Sequence, residues 1–371
     1  MSKVWFGLLG VGLLFGLFSA LTVVSRGLGV YNANDVTFWV LPMSGYLFFA
    51  LTAAGLTFLS SLPSVFGMKQ YYPIAKRASL LAGAALVVGV MCKGLDLGPL
   101  STLLNTVYLA LSPNLYSPVW WMAVLYGIYI AIVALKFFTI HKGRWHSTGG
   151  KTAGLLALLL MFMSYTALSI VFGTADARPA FFGHFTALYF AVTAVTCGMA
   201  VIVLATFVHF AVTGGMPKEQ EPLFNNIIKL FTVLLAVSLF VFILRAVIGY
   251  TSLQEAFDGF RHIASTAIYQ IELWVGLLIP LLLMLIPAIR ASTAGRILAS
   301  AMVLVGMFFG RLVMLLSAQV KPIGVLAENR PEFVSYFPSM YEFGIIILAF
   351  SLSMLIYSIG VKYWNLEATP E

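Results

Sequence analysis

Ten apolar runs, each long enough to cross a bilayer, constrain this chain more than any motif in it. They cover about residues 4–25, 38–62, 78–97, 118–140, 152–173, 184–213, 226–249, 266–290, 295–318 and 342–362. A hydrocarbon core of about 30 Å takes about 20 helical residues, and it offers no water to satisfy a free backbone amide. Runs of this length therefore cross as α-helices, and strands are excluded. Charged residues make up 9% of the 371 positions and hydrophobic ones 61%, a balance far from that of a soluble domain. The first run follows Lys3 and could pass for a signal peptide, but it is longer than a signal core and Ser25-Arg26-Gly27 is a poor cleavage site, so it counts as a helix.

The stretch from Tyr31 to Pro63 organises the rest. A polar knot of Tyr31, Asn32, Asn34 and Asp35 leads through Trp39, at headgroup level, into a run rich in small residues, Ala50, Thr52, Ala53, Ala54 and Gly55. Small residues let helices approach closely, so this helix is expected inside a bundle. Orientation follows from the basic residues. Thirteen of them (Lys3, Lys69, Lys76, Arg77, Lys136, Lys142, Arg144, Lys151, Lys218, Lys229, Arg290, Arg296 and Lys362) fall on the side of the N-terminus. Five (Arg26, Arg178, Arg261, Lys321 and Arg330) fall on the other. The positive-inside rule then puts both termini in the cytoplasm and the Tyr31 to Asp35 knot outside. The same rule accounts for the net charge of +8 without a nucleic-acid partner; the partner it implies is membrane lipid.

Three basic residues, Lys93, Arg245 and Arg311, fall within spans, where an ionisable group is costly and marks either function or a helix-registering ion pair. Lys93 and Asp96 are spaced i, i+3 on one helical face, and Arg245 can reach Glu272 one to two turns inside the next helix. Cys92 and Cys197 both lie in apolar runs, so neither a disulfide framework nor a metal motif is present. A haem anchor needs facing histidines at mid-membrane, whereas His184 and His209 occupy opposite ends of the sixth run and His141, His146 and His262 lie in loops. Residues 98–117 and 319–341, with their Pro, Asn and aromatic content, suit ordered caps over the outer face.

Several stretches together resemble the NrfD family, the membrane subunits of polysulfide reductase, tetrathionate reductase and related respiratory complexes. They are TAAGLTFLSSLPSVFG in the second run, LDLG at Leu95 to Gly98, SPVWWMAVLYG from Ser117, MSYTALSI in the fifth run, and GRLVML and YFPSMYEFG toward the C-terminus. The resemblance implies a subunit with no haem or iron–sulfur cluster of its own. Such a subunit binds menaquinone or ubiquinone in a four-helix bundle near the outer face and exchanges electrons with an adjacent ferredoxin-like 4Fe-4S subunit. That subunit in turn serves a molybdopterin enzyme, a multihaem cytochrome or another redox partner. By matching TAAG and SY, the family's quinone residues fall on Tyr46 and Tyr165; the first departs from a relative that carries histidine there. Asp96 with Lys93 is the acid–base candidate, and Asn34, Asp35 and Trp39 complete the candidate site. Arg245, Glu272 and Arg311 are structural or proton-path charges.

The expected architecture is an all-α membrane protein with about ten transmembrane helices: 1–30 an N-terminal transmembrane helix, 31–175 a first, quinone-binding four-helix bundle, 176–320 a second, and 321–371 an outer loop and last helix. It sits in the inner membrane of a prokaryotic cell. Two other classes compete with this reading. An ion-coupled secondary transporter needs Gly/Pro-broken helices with paired charges at mid-membrane, whereas these charges lie toward one face. A b-type cytochrome anchor needs the histidine pair that is missing.

Overall fold

The computed structural model describes residues 3–367, and at Val325 and Leu326 the backbone alone. Among the described residues, ten helices are long and apolar enough to cross a membrane: α1 Lys3–Arg26, α2 Leu41–Phe66, α3 Tyr72–Asp96, α4 Pro118–His141, α5 Thr148–Gly173, α6 Phe185–Thr213, α7 Glu221–Thr251, α8 Ala267–Leu285, α9 Thr293–Ser317 and α10 Met340–Tyr363. No strand occurs among the described residues. Local chemistry sets the helix ends. Pro42 and Pro118 stand in first turns, where the missing N–H leaves nothing unpaired. The side chains of Ser117, Ser147 and Ser292 cap α4, α5 and α9, and Gly67, at φ 69°, closes α2 in the left-handed conformation.

The spans close into two rings. In one, α2 and α4 each pack on both α3 and α5; in the other, α6 and α8 each pack on both α7 and α9. These are the two four-helix bundles, joined chiefly where α2 lies along α6. The seam is glycine on glycine. A methyl group at Gly198 would stand 2.5 Å from the carbonyl carbon of Gly55, so only hydrogen fits and the backbones touch. Nearly all of α2 is buried, as its run of small residues requires. The first and last spans pair with each other, Gly16 against Gly344, and the pair packs on the first bundle along α3 and α2.

An even number of spans brings Lys3 and Tyr363 to one end. The opposite, distal end carries the loops before α2, α4, α6, α8 and α10. There, the segment after α9 is tied down. His262 stacks on Phe333 at 4.2 Å, the Val334 N–H donates to the Val320 carbonyl, and Arg330 pairs with Asp35. Lys321 and Arg261 both engage Asp258 and hold its carboxyl below the ordinary range.

Three expectations need correcting. Residues 98–117 are not simply a loop: Leu100–Leu111 is a helix with no buried residue. The eighth span is not regular through 290. It passes through a π-helix at Ile271–Leu278, and the chain turns at Ile286 before a short helix Pro287–Ala291. The wide turn lets Gly276 lie against Gly306 of α9 while Glu272 faces inward. Finally, Lys76, Arg77, Lys136 and Arg296 are buried within helices, not loop residues; the heads of Arg77, Lys136 and Arg296 find partners in Glu367, in Ser60 and Ser61, and in Asn225. Setting them aside leaves nine basic residues against five, so the charge asymmetry keeps its direction.

Candidate functional site

The distal ends of α2, α3 and α10 gather polar groups that are unusual in a membrane interior. On α3, Lys93 Nζ lies 2.8 Å from Asp96 Oδ2, with side chains 23% and 7% exposed. The pair is thus partly desolvated but still reaches water. The same ammonium is 3.6 Å from Met43 Sδ at the start of α2. One turn deeper on α2 stands Tyr46, buried, its ring edge-on to Tyr126 of α4 at 5.9 Å between centroids. The Tyr46 hydroxyl makes no hydrogen bond of good geometry among the described residues and has the Tyr126 hydroxyl beside it, and a buried hydroxyl so weakly engaged is costly unless something else binds it. Tyr31 donates to the Leu95 carbonyl at 3.0 Å. Burial and the nearby Asp96 and Glu342 carboxylates push its pKa up, so it stays protonated.

The other expected site residues fall elsewhere. Tyr165 donates to the Ala187 carbonyl of α6 and borders a cavity of about 110 Å³ with Ser169 and His184; no hydrogen bond or ring contact joins it to Tyr46 among the described residues. Asn34 accepts from the Val36 and Thr37 N–H groups at 2.9 and 2.8 Å, fixing its own turn. Asp35 is held by Arg330. Trp39 packs on Phe172 and Phe181 at 5.2 and 5.7 Å, and Gln319 clamps its backbone from α9's end.

Inside the second bundle, Arg245 of α7 meets Glu272 at 2.6 Å, and the Tyr189 hydroxyl donates to the other carboxylate oxygen at 2.8 Å. Arg311 of α9 donates to Thr193 at 2.7 Å. Both guanidiniums lie over the Tyr189 ring, at 4.8 and 5.3 Å, in the geometry a cation takes on an aromatic face. All of these side chains are buried. A methyl group at Gly310 would stand 2.7 Å from Glu272 Oε1, so this glycine makes room for the carboxylate. The anion therefore pairs with Arg245 in a closed site, and Arg311 stands over the same Tyr189 ring.

Two polar groupings are absent from the sequence expectations. Across the interior of the first bundle, from α4 to α2, the Tyr129 hydroxyl donates to Thr57 at 2.6 Å, and Lys136 donates to Ser60 and Ser61 at 2.7 and 2.9 Å. Tyr126, Tyr129 and Lys136 repeat at helical spacing on one face of the fourth run, a pattern visible in the sequence. The second grouping is Glu342, fully buried in the first turn of α10. It accepts from the Tyr336 hydroxyl at 2.6 Å, the Ser339 N–H at 2.5 Å and the Asn32 N–H at 3.3 Å, and it has no ion-pair partner among the described residues. The helix N-terminus favours its charge. Its sequence mark is a capping box, Ser339 to Glu342. Burial and that carboxylate push the Tyr336 pKa up, keeping it a donor.

Among the described residues, no group of three or more His, Cys, Asp or Glu is placed to hold a metal ion. What the distal arrangement can do is proton chemistry: a carboxylate near water, a lysine that balances its charge, and a buried tyrosine hydroxyl deeper in.

Comparison with known proteins agrees over most of the chain. The polysulphide reductase NrfD family matches residues 29–323. A relative from Archaeoglobus fulgidus, named as the integral membrane subunit of an Hdr-like menaquinol oxidoreductase, is 24% identical over 367 residues, covering 93% of this chain and 89% of its own length. A selenate reductase subunit from Mesobacillus selenatarsenatis is 22% identical over 423 residues, covering 100% of this chain and 97% of its own length. A putative dimethyl sulfoxide reductase membrane subunit from Halobacterium salinarum is 22% identical over 415 residues, covering 100% and 93%. With ten spans among the described residues, eight of them in two bundles, and a family match running from the polar knot through α9, this multi-pass membrane protein belongs to the NrfD family.

Proposed function

We propose that this chain is the quinone-interacting membrane subunit of a respiratory oxidoreductase complex, passing electrons between the membrane quinone pool and an adjacent ferredoxin-like 4Fe-4S subunit, with protons exchanged at the distal, extracytoplasmic side. The observation that carries this reading is the Lys93–Asp96 pair at 2.8 Å, one turn of helix from the buried Tyr46 hydroxyl, which lacks a hydrogen bond of good geometry among the described residues. Quinone chemistry moves two electrons and two protons, and it needs a hydrogen-bond donor for a ring oxygen and a base close to water. Tyr46 can donate the hydrogen bond and Asp96 can take or give the proton at Oδ2. Lys93 balances the carboxylate charge in a poorly solvated place. The names of the relatives, a menaquinol oxidoreductase subunit and two reductase subunits, favour the same class, with menaquinone or ubiquinone as the bound substrate.

The test is the chain's native complex. Extracted in mild detergent, it is expected to bring down an iron–sulfur subunit identified by mass spectrometry, and a short-chain naphthoquinol should reduce that subunit's clusters within the assembly. A monodisperse chain with no redox partner, or clusters that the quinol leaves oxidised, would refute the reading.

Orientation has its own test. A reporter fused at Asn105, exposed in the Leu100–Leu111 helix, is expected to act outside the cytoplasm, and one fused after Glu371, which lies outside the described residues, inside it. Cytoplasmic activity at Asn105 would turn the protein over and put the Lys93–Asp96 end inside.

A further inference from the structure

On the other side of the α2 start from Lys93 lies a cavity of about 520 Å³, walled by α8, α9, α10 and the segment before α10. That volume falls within the range of small-molecule sites. Its wall is apolar, with Leu41, Phe308, Leu312, Phe343 and Phe350 among the lining residues; Tyr336 is the only one with a polar side chain. The α9 wall extends from Leu304 to Leu316, about 18 Å at about 1.5 Å per residue. Val305, Phe337 and Phe343 are exposed, so the cavity opens sideways to the lipid. Phe308 sits edge-to-face with Phe48 at 5.6 Å and tilted against Phe350 at 6.0 Å, a wall suited to a flat ring.

The hydrogen-bond arithmetic at Tyr336 selects what can sit there. The hydroxyl gives its proton to Glu342 Oε1 at 2.6 Å and accepts from the Leu41 N–H at 3.0 Å. A hydroxyl has one proton and two lone pairs. Its donor is spent, one lone pair is used and one is left, so a ligand meeting this oxygen must donate. A quinone carbonyl cannot donate, whereas a quinol hydroxyl can. A phospholipid tail satisfies the apolar wall and leaves this polar end unmatched.

We propose that this cavity binds an isoprenoid quinol in its reduced form, the headgroup hydroxyl donating to Tyr336 Oη and the tail leaving between α9 and α10. It is a second site, distinct from the Lys93–Asp96 cluster, and it rests on the reading of this chain as quinone-interacting.

The full chain in native membranes should be illuminated with a naphthoquinol carrying a diazirine on its tail, and the labelled peptides mapped. Saturable labelling within 304–316 and 336–350 is expected, displaced by excess unlabelled naphthoquinol and not by phosphatidylglycerol. Leu312→Trp, which fills the cavity, should lower that labelling at least tenfold. Tyr336→Phe should weaken the reduced probe about fivefold, the worth of one net hydrogen bond, and leave the oxidised probe unchanged. A merely structural role for Tyr336 would move both redox forms alike and overturn the proposal, even if Leu312→Trp fails to fold. Labelling confined to peptides around Tyr46, Lys93 and Tyr126 would overturn it while leaving the quinone reading intact. Displacement by phosphatidylglycerol would make the cavity a lipid groove, and the absence of saturable labelling anywhere would sink both readings.

Discussion

Asp96→Asn is expected to slow quinol-linked electron transfer by on the order of 10²-fold per assembled complex, the worth of a positioned acid or base, while the amount of complex stays at the wild-type level. The substitution keeps the shape of the side chain, and Lys93, 2.8 Å away in the native pair, can still donate to the amide oxygen. Only the ability to take up a proton is lost. Assembly survives because the surrounding contacts do not need the charge: Tyr31 bonds the Leu95 carbonyl, and Lys93 reaches solvent and Met43. The measurement is turnover with a naphthoquinol, normalised to intact complex on a native gel, beside reduction of the partner's clusters by an artificial donor, which should be unaffected. Wild-type turnover in Asp96→Asn, together with loss of turnover in Glu272→Gln at normal expression, would move the site to the second bundle.

Glu272→Ala should act on folding instead. The carboxylate is 1% exposed, bonded to Arg245 at 2.6 Å and to Tyr189 at 2.8 Å, and Arg311 shares the Tyr189 ring. Removing it leaves the buried Arg245 guanidinium without its anion, and stranding one buried partner costs about 3–5 kcal/mol. That is a large part of a marginal stability, so the folded yield should fall several-fold, with a lower melting temperature in detergent. Arg245→Met combined with Glu272→Met should recover part of the loss, since well-packed apolar side chains often replace a buried pair with little penalty. A single variant as stable as wild type would show that the cluster is hydrated, and its role would then be sought in proton movement.

The part of this protein that its sequence determined is the part governed by short range. Hydrophobic run length is local, so all ten spans were legible in order, and the one that must be buried, α2, announced itself by its small residues. Lys93 and Asp96 are three residues apart on one helix, so their pairing follows from helical geometry. Arg245 and Glu272 could be matched because charges inside spans are so few that each has few choices. Helix ends were partly legible too, in Gly67 and in the Ser339 to Glu342 capping box.

Tertiary structure alone decided what depends on which helix faces which. Lys136 counted as a loop cation by its place near a helix end, yet it is buried because Ser60 and Ser61, 75 residues or more away in the chain, present acceptors to it. Tyr165 shares helix depth with Tyr46 in sequence, but the rotation of α5 turns its hydroxyl to α6. The pairing of α1 with α10 joins opposite ends of the chain, and the π-helix around Glu272 packs with Gly276 against Gly306 of another helix. The Tyr336 cavity needs α2, α8, α9 and α10 together. In hydrocarbon, nearly every span is apolar on all sides, so hydrophobic periodicity, the signal that tells a soluble helix which face to bury, is weak. Helix rotation is then set by close glycine contacts and by polar groups finding partners, and both are properties of pairs of helices that no single run of sequence contains.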